Sequence, residues 1–164
     1  MACQVTVSVG GDGVEIKLVL SLPREAVSVP VTRQVLDGCL ASLGVTPDTR
    51  ADIALALSEA CANVIQHAGA DEEYEVQVSA RDRRCVIEVV NSGGREWPCS
   101  AAFADESPPP TAEHGRGLMI IDSVVDNLQL TSTDYRGTTV HFEKELEWLP
   151  GAAGQHLFHG NGIG

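Results

Sequence analysis

The chain has 164 residues, of which 43% are hydrophobic and only 4% aromatic, and its 11 basic and 23 acidic residues give a formal net charge of −12. That length and aliphatic content suit a single domain with one buried core and imply no second domain. The acidic surplus argues against a phosphate-backbone binder, which needs clustered Lys and Arg, so nucleic acid is not expected as a direct partner.

Five cysteines, Cys3, Cys39, Cys61, Cys85 and Cys99, are scattered without a C-x-x-C pair. This is the pattern of reduced thiols inside apolar runs, not of a disulfide frame or a zinc site. The first residues, MACQVTVSVGGDG, lack a basic region followed by a long apolar run, and no stretch reaches the length of a membrane span. The expectation is a cytoplasmic protein with no membrane contact.

In chain order, residues 1–13 read as a flexible lead-in ended by Gly10, Gly11, Asp12 and Gly13. From Val14 to Leu22 the alternation of Ile16, Leu18 and Leu20 with Glu15 and Lys17 predicts a strand, closed by Pro23. A helix follows from about Val27 to Leu43, with Val31, Val35, Cys39 and Leu43 recurring every fourth residue, Pro30 in its first turn and Gly44 as its stop.

Thr46, Pro47 and Asp48 form a cap-and-proline start for the helix that organises the chain. Its apolar stripe is Ile53, Leu57, Ala60 and Val64, while Asp52, Glu59, Asn63 and Gln66 share another face. A solvated polar face accounts for those four residues unless the rest of the chain brings partners to them.

Two strands are predicted over Glu73–Ala80 and Cys85–Val90, turned by residues 81–84. The second runs out into Asn91, Ser92, Gly93 and Gly94, where glycine permits close approach to a ligand or simply a turn. Residues 92–114 carry Pro98, Pro108, Pro109 and Pro110 with little periodicity and are too long for a mere connection, so they are either a disordered loop or a lid.

Gly115 and Gly117 precede a helical pattern of Leu118, Ile121, Val124 and Val125, an entry whose free N–H groups suit a phosphate. A final hairpin is expected from 127–133 and 138–145, with Val140 and Phe142 inward. The stretch 150–164 is glycine-rich and without period, so it reads as a disordered tail, and His156 and His159 within it lack the carboxylates of a metal site. Helices inserted between runs of antiparallel strands predict an α+β fold: a two-layer sandwich over residues 14–149 with helices on one face of the sheet.

SEACANVIQHA, VVNSGG, GRGLMII and GTTV, in that order, resemble the N-box, the first and second glycine boxes and the closing strand of the GHKL ATPase and kinase superfamily. Within it the chain is similar to the anti-sigma factor serine-protein kinases of bacterial partner-switching systems, over about Val14 to Leu146. The resemblance implies a Bergerat-type fold, ATP and Mg²⁺ as cofactors, Glu59 as catalytic base, and Asn63 as nucleotide and Mg²⁺ ligand. It further implies nucleotide contacts at Asn91 and Gly93, at His114, Gly115, Arg116, Gly117 and Leu118, and at Thr138, with 92–114 as a lid.

The implied partners are a sigma factor and a STAS-type antagonist phosphorylated on serine. Dimerisation is common in the family, and the helix around Arg33 offers a surface for a homodimer. The chemistry of the residues agrees with these roles. A carboxamide oxygen suits Mg²⁺, which takes one or two protein groups beside phosphates and water, and a carboxylate one turn away can take a hydroxyl proton. Arg116 is either a phosphate partner or a surface charge.

One position departs from the family. Where it carries an aspartate that accepts the adenine amino proton, this chain has Asn91. A neutral acceptor makes a hydrogen bond of about 1 kcal/mol against roughly 1.5–3 for a charged one. A weak kinase, use of another nucleotide, and loss of nucleotide binding with regulation by sequestration alone are all compatible with that change. A histidine kinase catalytic domain is disfavoured, because there is no room for a dimerising hairpin with its phosphoacceptor or for a sensor region.

Overall fold

The computed structural model describes residues 1–10, 13–67, 73–91, 113–133 and 137–158. Strands β1 (Ala2–Gly10) and β2 (Gly13–Pro23) are followed by helices α1 (Ser28–Leu43) and α2 (Pro47–His67). Strands β3 (Glu73–Arg81) and β4 (Arg84–Asn91), helix α3 (Glu113–Val124), strands β5 (Asn127–Thr133) and β6 (Gly137–Glu145), and a short helix α4 (Ala153–Phe158) complete the chain.

The six strands form one sheet in the order β1-β2-β3-β4-β6-β5, antiparallel at every junction. The period-2 pattern decides which face is covered. Leu18, Leu20 and Leu22 of β2, Tyr74, Val76 and Val78 of β3, Cys85, Ile87 and Val89 of β4, and Val140 and Phe142 of β6 are all buried. Against this face pack Leu36 and Leu40 of α1, the predicted α2 stripe of Ile53, Leu57, Ala60 and Val64, and Leu118 and Ile121 of α3. The α+β sandwich with helices on one face is therefore the fold observed.

Three expectations require correction. The lead-in is not loose: β1 pairs with β2 from Ala2↔Ser21 to Gly10↔Gly13, so the sheet gains an edge strand. Cys3, Val5 and Val7 alternate with Gln4, Thr6 and Ser8, a strand signal within the lead-in. The buried residues of α1 are Ser28, Thr32, Leu36 and Leu40, one residue out of step with the predicted stripe, and Cys39 is exposed. Its two polar members are satisfied: Thr32 Oγ1 donates to the Ser28 carbonyl at 2.8 Å, and Ser28 Oγ lies 2.7 Å from the Tyr74 hydroxyl.

The third correction concerns the tail, which is not all structureless. In α4, Phe158 is buried, with its ring centroid 5.7 Å from that of Trp148. Trp148 itself bridges to Val45 just beyond α1. Gly44 ends α1 at φ +83°, and a Cβ there would lie 2.5 Å from that of Ala152, so the glycine serves both the left-handed cap and the docking of this C-terminal segment.

The cysteines are free where described: Cys61 and Cys85 are buried, and burial pushes both thiols up to about 12. Among the described residues no helix is long and apolar enough to cross a membrane.

Candidate active site

Helix α2 carries the proposed chemical groups and its sequence determines how they are aimed. Pro47 occupies the first helical position, and the Thr46 carbonyl accepts from Arg50 N–H at 3.0 Å, so the helix begins where the cap-and-proline signal places it. With Ile53, Leu57, Ala60 and Val64 buried in the core, Glu59 and Asn63 turn sideways toward α3. Asn63 is only 5% exposed and Glu59 half-buried, whereas Gln66 stands in solvent.

Helix α3 meets that face at Gly117. A Cβ on Gly117 would lie 3.1 Å from each of Asn63 Nδ2, Asn63 Oδ1 and Glu59 Oε2. The absence of a side chain at Gly117 is what allows the backbone of the second glycine box to rest on the carboxylate and carboxamide of the N-box. Glu59 and Asn63, one turn apart on α2, and Gly117 of α3, distant in the sequence, are thus brought to one point. Asn63 Nδ2 is buried and has no hydrogen-bond partner among the described residues. A buried unpaired donor costs about 1–3 kcal/mol, which a phosphate oxygen could relieve. Rotated about its last torsion, the same amide offers its oxygen to a cation.

No group of three or more His, Cys, Asp or Glu converges among the described residues. Asn63 therefore fits Mg²⁺ only in the manner of an ion that draws most ligands from phosphates and water.

The opposite ends of the two helices are tied together. Lys144 Nζ of β6 donates to the Val124 carbonyl at the end of α3 at 2.7 Å and lies 2.9 Å from Asp52 Oδ2 near the start of α2. A cation at a helix C-terminus also meets the negative end of the dipole.

Asn91 ends β4 on the covered face and is 4% exposed. Its cross-strand partner on β6 is Thr138, so these two predicted residues are neighbours in the sheet. Continuing the Glu75↔Val90 register by one residue sets Asn91 beside Tyr74, which lies against Cys61 of α2, half a turn before Asn63. The Asn91 side chain has a partner that the sequence reading missed: Arg24, just beyond β2, donates from Nη2 to Asn91 Oδ1. The two are separated by 67 positions, and no local pattern signals such a contact.

The second glycine box also differs from its predicted form. Helix α3 starts at Glu113, so His114, Gly115, Arg116 and Gly117 lie within it instead of preceding it. The amides that a helix leaves free are its first four, here those of residues 113–116. Arg116 is exposed and Leu118 is buried in the core, so Leu118 serves packing. Gly93 and the rest of the expected lid up to residue 112 lie outside the described residues.

A six-stranded antiparallel sheet with helices on one face, and an acid and an amide beneath a helical glycine, has the layout of a GHKL-type ATPase. The chain belongs to the histidine kinase-like ATPase domain family, whose model matches residues 22–144. It is homologous to serine-protein kinase RsbW of Bacillus velezensis, with 27% identity over 153 residues covering 88% of this chain and 91% of that protein. RsbW of Bacillus cereus and RsbW of Bacillus anthracis are each 26% identical over 142 residues, covering 80% of this chain and 86% of theirs.

Proposed function

We propose that this protein is a nucleoside-triphosphate-dependent serine-protein kinase that also acts as an anti-sigma factor, using ATP as the family does. It would phosphorylate a serine of a STAS-type antagonist and sequester a sigma factor while that antagonist is phosphorylated. The observation that carries the reading is the meeting of Glu59 and Asn63 beneath Gly117, where a Cβ on the glycine would lie 3.1 Å from both side chains. Glu59 accepts the proton of the attacking serine hydroxyl as the γ-phosphoryl group passes to the serine oxygen, and the nucleoside diphosphate leaves. Asn63 holds the phosphate end of the nucleotide and contributes one ligand to Mg²⁺, which when bound neutralises charge on the phosphate oxygens. The free amides at the start of α3 face the phosphates. Kinases named for serine phosphorylation among the relatives support the reaction class.

The test is Glu59→Ala with a STAS partner and labelled nucleotide. Phosphotransfer should disappear while nucleotide binding persists. Phosphotransfer that survives the substitution removes Glu59 from the base role, and a folded wild-type protein that binds no nucleotide leaves regulation by sequestration alone.

A further inference from the structure

The bond between Arg24 and Asn91 carries a consequence for which base the cleft accepts. A guanidinium has only donors, so the amide of Asn91 must present its oxygen to Arg24 and keep its N–H groups for whatever lies next to it. Among the described residues the Nδ2 hydrogens have no hydrogen-bond partner, and Nδ2 is not one of the fully buried atoms left unpaired. Asparagine reads adenine by accepting from N6–H with its oxygen while donating to N7, whereas arginine reads the O6 and N7 acceptors of guanine. Here the accepting half of Asn91 is committed to a cation, and an amino group approaching it meets that positive charge. What remains at the end of β4 is a set of donors, which complements a carbonyl at purine position 6.

We propose that Arg24 and Asn91 together determine base specificity by removing selectivity for adenine and admitting 6-oxopurine triphosphates. This rests on the nucleotide cleft proposed above. Arg24 acts by turning and occupying the Asn91 amide, and Asn91 meets the base.

The experiment is calorimetric titration of the full-length protein with ATP, GTP and inosine triphosphate in the presence of Mg²⁺, for wild type, Asn91→Asp and Arg24→Met. Inosine triphosphate carries the 6-oxo group without guanine's 2-amino group, so it isolates the contact in question. Wild type should bind inosine triphosphate at least as tightly as ATP. Asn91→Asp, whose second carboxylate oxygen stays available beside Arg24, should shift the ratio at least tenfold toward ATP. Arg24→Met, which releases the amide oxygen, should shift it in the same direction. ATP binding tenfold tighter than inosine triphosphate in wild type overturns the assignment, as does a ratio unmoved by Asn91→Asp, and in either case the nucleotide cleft stands. A folded wild-type protein that binds none of the three triphosphates overturns the cleft and the base assignment together.

Discussion

Replacing Gly117 by alanine adds one methyl group at the point where the two helices meet. Its Cβ would lie 3.1 Å from two atoms of the Asn63 amide and from Glu59 Oε2, tighter than ordinary van der Waals contact, so these groups must retreat by a few tenths of an ångström. Overpacking of this kind costs about 1–3 kcal/mol. Against it, alanine inside a helix gains roughly 0.5–1 kcal/mol over glycine. The net destabilisation is then about 0–2.5 kcal/mol, and at about 2–4 °C per kcal/mol the melting temperature should fall by no more than about 10 °C. Function should suffer more than stability, because the displaced atoms are those proposed to hold phosphate and proton, and small misplacements there cost up to about 10²-fold in rate. Calorimetry for nucleotide affinity, a phosphotransfer assay and a thermal melt on the same sample separate the two effects. Gly117→Ala protein that binds nucleotide and transfers phosphate as the wild type does refutes this role for Gly117, as does a loss of function only in proportion to unfolding.

Two further expectations concern parts of the molecule away from the site. His141 lies on the open face of the sheet, 3.0 Å from Glu88 and 3.1 Å from Glu143. Desolvation lowers its pKa, but hydrogen bonds to the two carboxylates outweigh that and leave it above the ordinary histidine value. A raised pKa gives a contribution that is complete below the unfolded value near 6.5 and is lost as pH rises through the folded value. The melting-temperature difference between wild type and His141→Gln should therefore be larger at pH 5.5 than at pH 8.5, and a constant difference refutes the linkage. Phe158→Ala should destabilise by about 3 kcal/mol, at the lower end for a buried phenylalanine, as read by urea denaturation. A change below 0.5 kcal/mol, the ordinary limit for a surface substitution, would mean that α4 contributes nothing to the fold.

The covered face of the sheet was legible because alternation in β2, β3, β4 and β6 and the 3.6-residue stripe of α2 coincide with burial. The stripe of α1 was misread by one residue, since hydrophobicity alone cannot show that Ser28 and Thr32 are buried with their hydroxyls bonded. In β1, the alternating residues stay exposed, so the strand is held by pairing with β2 more than by a core. Helix α4 is short and contains Gly154, whose missing side chain makes room for the Trp148 ring, a fit made in space without a sequence period. At the site, the one-turn spacing of Glu59 and Asn63 was readable, and the convergence on Gly117 followed from motif order. Arg24 was not, because its contact with Asn91 joins the end of β2 to the end of β4 across β3.

The Lys144 tether makes α3 a lever. Its ammonium group fixes the C-terminal end of that helix to the start of α2, so the angle between the two helices has its fulcrum at Val124. Gly117 sits seven residues from that fulcrum, about 10 Å along the axis at ~1.5 Å per residue. A tilt of about 10° would move it by roughly 2 Å, enough to part it from Glu59 and Asn63 while the tether stays intact. Cutting the tether by Lys144→Ala would remove the fulcrum without touching any group proposed to meet the nucleotide.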